Sequence, residues 1–284
     1  MKEEEKMPIR KIAKIFPALL IFSLVFVQDL PAQGHFEFGF HYSQWSIDIL
    51  RSIIEDALSD SLETELKDKI LEDIQKDYPE LRERSYIQNV SFDSGGNNFG
   101  FEMRWYPAGK NGSFSLGFSV EKTTMRVSLP DVSADLSVEN TFTGEVSNFK
   151  GRANAEFLMK PLSFHLSFRW DIMPSSRIRP YVTFGFGAAT GTALEEGQLT
   201  YAYSGDLEIE GEEPEHYESS ENKTLKQLKD EMEEEGDEFI LPGFLPFLQL
   251  NLGVKGAITE NLYLLLDTGI WNGFILRGGI ACRF

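Results

Sequence analysis

The sequence predicts an all-β fold: an eight-stranded antiparallel barrel that crosses a membrane with its strands. Two patterns predict it. Eight segments alternate apolar with polar or small side chains at a period of two, which sends the two sets to opposite faces of a strand. The connections between them run long, short, long, short, long, short, short. A barrel with both ends on one side of a membrane has short turns on that side and longer loops on the other. The mean hydropathy of -0.24 is compatible with this, because only every second strand residue has to face lipid.

The first segment, 34–44, sets Phe36, Phe38, Phe40 and Tyr42 against Glu37, Gly39, His41 and Ser43. The second, 97–106, sets Phe99, Phe101, Met103 and Trp105 against Gly100, Glu102 and Arg104. The third begins at Ser113 and sets Phe114, Leu116, Phe118 and Val120 against Ser115, Gly117, Ser119 and Glu121. The fourth, 162–172, carries Phe164, Leu166, Phe168 and Trp170 against Ser163, His165, Ser167, Arg169 and Asp171. The fifth is 180–192, with Val182, Phe184 and Phe186, and the sixth is 247–257, with Leu248, Leu250, Leu252 and Val254. Residues 262–270 make the seventh, and 274–284 (FILRGGIACRF) the eighth. The short connections are 107–112, 173–179 and 259–261, the first of them rich in Gly, Pro and Asn turn formers.

Two loops hold the remaining pattern. In loop 45–96 a helical ladder runs through Ile47, Leu50, Ile54, Leu58, Leu62, Leu66, Ile70 and Ile74, with Asp60 and Glu63 at capping-box spacing and Pro79 near its end. Loop 193–241 contains 17 acids against three lysines. It reads as a solvated, extended acidic segment at 205–222 followed by a short helix at 224–234. Segments 132–149 and 198–210 either add a hairpin, giving ten strands, or extend strands three to five above the membrane; the extension is the preferred reading.

The N-terminus has a basic stretch (Lys2, Lys6, Arg10, Lys11, Lys14), the apolar run 15–27 and a small residue at Ala32. This is the pattern of a secretory signal peptide over 1–32. The run is short of the roughly 20 residues a spanning helix needs. Residues 33–284 are then one barrel domain. Cys282 is the single cysteine, so an intramolecular disulfide and a cysteine-based metal site are both excluded. A net charge of -18 argues against nucleic acid as a partner. With neither a metal-ligand spacing nor a Gly-rich phosphate loop in view, the expected cofactor set is empty.

Parity places a balanced set of charges inside the barrel: Glu37, Glu102, Glu121, Asp171 and Asp267 with Arg104, Arg169, Lys255, Arg277 and Arg283. Eight strands enclose a space just wide enough for side chains to fill. Charges there have to pair, so the expectation is a salt-bridged plug rather than a pore. His41 and His165 also point inward, each two residues from a serine, and a His beside a Ser hydroxyl is the core of acyl-transfer chemistry.

The terminal strand ending on Phe284 resembles the C-terminal signal that the assembly machinery of bacterial outer-membrane barrels reads. The stretches Arg179-Pro180-Tyr181-Val182-Thr183-Phe184-Gly185-Phe186-Gly187 and Ala257-Ile258-Thr259-Glu260-Asn261-Leu262-Tyr263 resemble strand starts and periplasmic turns of small barrels of the OmpA/OmpW-like group. His165-Leu166-Ser167 is similar to the His-x-Ser motif of the lipid A deacylases, which would make His165 and Ser167 catalytic. The resemblance implies a porin-like protein of the outer membrane of a Gram-negative-type envelope, with both termini periplasmic. Its implied partners are outer-membrane lipid and the barrel assembly machinery, and loop 45–96 is a candidate protein-binding surface. The expected role is non-enzymatic, structural or surface-interacting. A channel for small solutes or hydrophobic compounds is the first alternative and a lipid A hydrolase the second.

Overall fold

The computed structural model describes residues 34–208, 213–236 and 240–284; the expected signal peptide lies outside them. Eleven strands form one continuous sheet: β1 (His35–Ser46), β2 (Leu81–Tyr106), β3 (Phe114–Asn140), β4 (Val146–Met159), β5 (Leu162–Asp171), β6 (Ile178–Thr190), β7 (Gln198–Glu208), β8 (Glu215–Thr224), β9 (Phe244–Ala257), β10 (Leu262–Trp271) and β11 (Phe274–Arg283). Eight of them close on themselves in the order β1-β2-β3-β5-β6-β9-β10-β11. These are the eight predicted segments. The seam joins β1 to β11 from Glu37↔Arg283 to Ser46↔Phe274. It is finished by the Phe284 backbone, whose N–H donates to the Phe36 carbonyl at 2.8 Å. Closure leaves no unpaired edge in the wall, which is what a lipid environment demands of a sheet.

The outward face explains that demand. Phe40 is 62 % exposed, and Phe99, Phe164, Leu252, Leu266 and Ile280 are exposed on the same belt. About five such positions per strand, at roughly 3.3 Å per residue and a tilt near 40°, give a band on the order of 25 Å tall, the hydrophobic height of a membrane barrel. Among the described residues no helix is long and apolar enough to cross a membrane. The crossing is made by strands.

Strands β2 and β3 run on well past the belt, to 26 and 27 residues. Halfway along, β3 changes partner: residues 114–122 pair with β5 and residues 125–139 with β4. Lys160 and Pro161 make the handover, because Pro161 has no N–H for a ladder and β4 and β5 follow each other along one edge of β3. Beyond this point β4, β7 and β8 continue the sheet sideways as a flange that is not part of the barrel. The segments 132–149 and 198–210 therefore extend β3 outside the membrane and add hairpins beside it, leaving the barrel at eight strands.

The helices of the first loop lie on the extended parts of β2 and β3, beside this flange. Helix α1 (Arg51–Ser61) runs through a π-turn at 62–67 into α2 (Asp68–Asp77). The expected capping box at Asp60 and Glu63 does not form, because the chain stays helical there and Thr64 Oγ1 instead donates to the Asp60 carbonyl at 2.9 Å. Ile70, Leu71 and Ile74 of α2 pack against buried Leu81, Leu136 and Val138. Leu136 belongs to the face that continues the lumen lining past the bulge at 129–132. The Phe92 N–H donates to Glu55 Oε1 at 2.8 Å and the Ser94 N–H to Asp48 Oδ1 at 2.8 Å, tying α1 and the turn before it to β2.

The expectation of an unpaired acidic segment at 205–222 is overturned on either side of residues 209–212, which lie outside the described set. Pairing runs from Leu207↔Glu215 to Gln198↔Thr224. Alternation sends successive acids to opposite faces, and cations and hydroxyls meet several of them: Lys223 pairs with Glu221 and, at 2.7 Å, with Glu231, and Tyr201 donates to Glu221 at 2.6 Å. The helix expected at 224–234 is α3 (Leu225–Glu235), capped by Thr224, whose hydroxyl accepts from the Gln227 N–H at 3.2 Å, and ended by left-handed Gly236.

Candidate functional site: the filled lumen

All ten predicted lumen charges are buried inside the barrel. At the end with the short turns, Glu37 on β1 is the hub. Its Oε2 accepts from Arg283 Nη2 at 2.6 Å and from Lys255 Nζ at 3.2 Å, while Arg169 Nη1 lies 3.5 Å from Oε1. Lys255 also reaches Asp171 at 2.9 Å. Three cations from β5, β9 and β11 thus converge on two carboxylates from β1 and β5. These contacts cross the barrel axis.

A layer higher, Glu102 Oε1 accepts from Arg104 Nη2 at 2.6 Å and its Oε2 from Arg169 Nη2 at 3.2 Å. Asp267 accepts from the Tyr181 hydroxyl at 2.6 Å and from Asn251 Nδ2 at 2.9 Å, with Arg277 Nε at 3.3 Å. Higher again, Glu121 accepts from Asn98 at 2.6 Å and from the Ser119 hydroxyl at 2.9 Å, and His41 Nε2 lies 3.4 Å away. The small residues around His41 make room for its ring: a Cβ added at Gly100 would sit 2.0 Å from His41 Nε2.

Two further groups of lumen residues were not singled out in the sequence. The first is an aromatic set, Tyr106, Tyr181 and Tyr263, on which the guanidinium groups lie: Arg283 is 3.5 Å from the Tyr106 ring centre, Arg169 is 4.3 Å from Tyr181, and Arg179 is 5.0 Å from Tyr263. The second is an apolar cap at the flange end, where Trp45, Met125, Ala189, Phe247, Trp271 and Ile275 form one buried cluster. Both groups carry the inward parity of the charges, so the signal was present. Trp45 and Trp271 fall one residue beyond the predicted segments, whereas the tyrosines lie within them.

His165 lies directly under this cap, its ring 5.2 Å from that of Trp271 and 5.5 Å from that of Phe247. Its Nε2 is 2.7 Å from the hydroxyl of Ser163. The serine of the predicted pair, Ser167, is bonded elsewhere and accepts from Arg104 Nη2 at 2.7 Å. His165 and Ser167 share a strand face without forming a hydrogen-bonded pair. Phe284 sits at the end of the seam with its ring on the outer surface.

The arrangement is a stack of bonded charges. Arg104 meets Glu102 on its own strand, Glu121 is held by Asn98, Ser119 and His41, and the other charges find opposite ones across the axis or on a neighbouring strand. Removing one member of an ion pair leaves the other buried and unpaired, which is the costly case. Among the described residues there is no cluster of three His, Cys, Asp or Glu able to hold a metal.

No family model matches the chain. No curated protein matches it either. Among solved structures, the translocator domain of the autotransporter NalP from Neisseria meningitidis is similar at 10% identity and a TM-score of 0.25, covering 96% of each chain. The transport unit of the autotransporter AIDA-I from Escherichia coli is similar at 7% identity and a TM-score of 0.19, covering 90% of this chain and 91% of that one. The CymD monoaromatic hydrocarbon channel is similar at 8% identity and a TM-score of 0.19, covering 94% and 92%. Scores this low say nothing about activity. The belt, the closed seam and the packed interior establish a transmembrane eight-stranded barrel filled by its own side chains.

Proposed function

We propose that this chain is a non-enzymatic protein of the bacterial outer membrane whose barrel anchors a folded surface for structural or partner-binding use. The observation that carries the reading is the cross-axis bonding at Glu37, which joins β1, β5, β9 and β11 and fills the lumen where a pore would run. The mass beyond the belt, a sheet flange with α1 and α2 packed on the strands beside it, is then the part available to partners. In this reading the short turns face the periplasm and the flange faces outward. Protease added to intact cells tests it. Cleavage near the β7–β8 tip, with the 259–261 turn protected, is expected. Cleavage of that turn alone would invert the topology and remove the reading.

A channel for hydrophobic compounds is the second reading, and one observation favours it: the upper lumen is apolar, built from Trp45, Phe247, Trp271 and Ile275. It would require this cap to open toward the lipid. Uptake of a small aromatic dye into vesicles containing the native protein, lost on filling the cap with Ala189→Leu, would support it over the anchor.

A further inference from the structure

We propose that the outer wall carries a site for a bilayer lipid with a phosphate headgroup, held where β3, β4 and β5 meet at the upper edge of the belt. Lys122 is the first charged residue above the belt on β3, directly following outward-facing Phe118 and Val120. Its ammonium donates to the Lys160 carbonyl at 2.7 Å, so the backbone of Lys160 holds it at this corner. Both are exposed, and neither forms an ion pair among the described residues. The contrast lies two outward positions further along β3. Arg126 is neutralised there by Asp93 at 2.8 Å and Glu156 at 3.6 Å. In a chain of net charge -18, a lysine without an acidic partner is out of keeping with its surroundings. An anion from outside the chain would give Lys122 the partner that the chain does not.

The wall beneath supplies the other half of the site. A furrow of about 760 Å³ runs around the belt and reaches Lys122, with Phe99, Phe101, Val120, Leu162 and Gly278 along it. It lies between two aromatic rows, Tyr42 with Phe99 at 4.9 Å and Phe40 with Phe101 at 5.0 Å between ring centres. Gly278 leaves a gap in the outward ladder of β11, because a Cβ there would meet nothing within 4 Å. An apolar furrow ending at the Lys122 ammonium matches acyl chains that end at a phosphate. A basic residue near a membrane surface adds attraction for anionic lipid and is screened within a Debye length.

The full chain in nanodiscs of equal phosphatidylglycerol and phosphatidylcholine, released and weighed by native mass spectrometry, tests the site. Phosphatidylglycerol should be retained in preference. Lys122→Gln should cut that preference about fivefold, and Lys122→Gln with Lys160→Gln further. Gly278→Leu, which fills open space and keeps the strand, should lower retention of both lipids, while Lys226→Gln on α3 should change nothing. Millimolar inorganic phosphate should leave the retained lipid in place. Equal retention of the two lipids, an unchanged preference in the double variant, or displacement by free phosphate would each overturn the proposal.

Discussion

Glu37 and Glu221 are the same side chain in two different solvents. Glu37 is 2 % exposed and holds Arg283 at 2.6 Å inside the barrel. Glu221 pairs with Lys223 and accepts from Tyr201 at 2.6 Å on the flange, in reach of water. Inside, water cannot replace a lost partner, so each pair is structurally obligatory. On the flange it can, so pairs there tune the surface without holding it up. The lumen and the flange are both rich in charge, but charge sets the shape only of the lumen.

The largest expected effect comes from breaking the inner set. Glu37→Gln leaves Arg169, Lys255 and Arg283 short of an anion and should cost about 4 kcal/mol, read as a shift of the urea unfolding midpoint in phospholipid vesicles. Next is the apolar junction between flange and helices. Leu136→Ala should cost about 3 kcal/mol, expressed as faster amide exchange in α2 and β4 with the barrel strands unchanged. Exchange spreading into β1 and β11 would mean that flange and barrel unfold as one unit. A flange ion pair should matter least: Arg126→Gln should change stability by less than about 1 kcal/mol, and less at high salt.

A fourth expectation concerns pH. Hydrogen bonding to Asp206, with Glu218 close by, raises His216 above its ordinary 6.5. A raised folded value means the charged bond is fully present below the unfolded value and is lost as pH rises through the folded one. The β7–β8 hairpin should therefore loosen from about pH 6.5 upward, seen as a raised midpoint in an NMR titration of the His216 ring. His216→Gln should remove that dependence without touching the barrel.

The barrel was legible because its environment imposes a period. Lipid outside and paired charge inside fix every residue from Phe36 to Tyr42, and the parity of one strand predicts the contents of the next. The flange was less legible, since β7 and β8 are exposed or half-buried along almost all of their length. Strand β8 reads EHYESSENKT, a composition that suits a solvated loop as well as an edge strand. Only its pairing to β7 decides between them. The lumen charges were read individually from parity, but which carboxylate serves three cations was not, because cross-axis distance has no signature along the chain. The same gap produced the His165–Ser167 expectation, where shared face was taken for contact and Arg104, from a strand two places away, had taken the serine.

The central claim is that the inner charge layers close the barrel, and single-channel recording in planar bilayers tests it most directly. The native protein should show no steady conductance, and Glu37→Gln should introduce a leak or shorten the lifetime of the inserted barrel. Large, long-lived openings of the native protein would contradict the account, because it sets the bonds of Glu37 with Arg169, Lys255 and Arg283 across the path that ions would take.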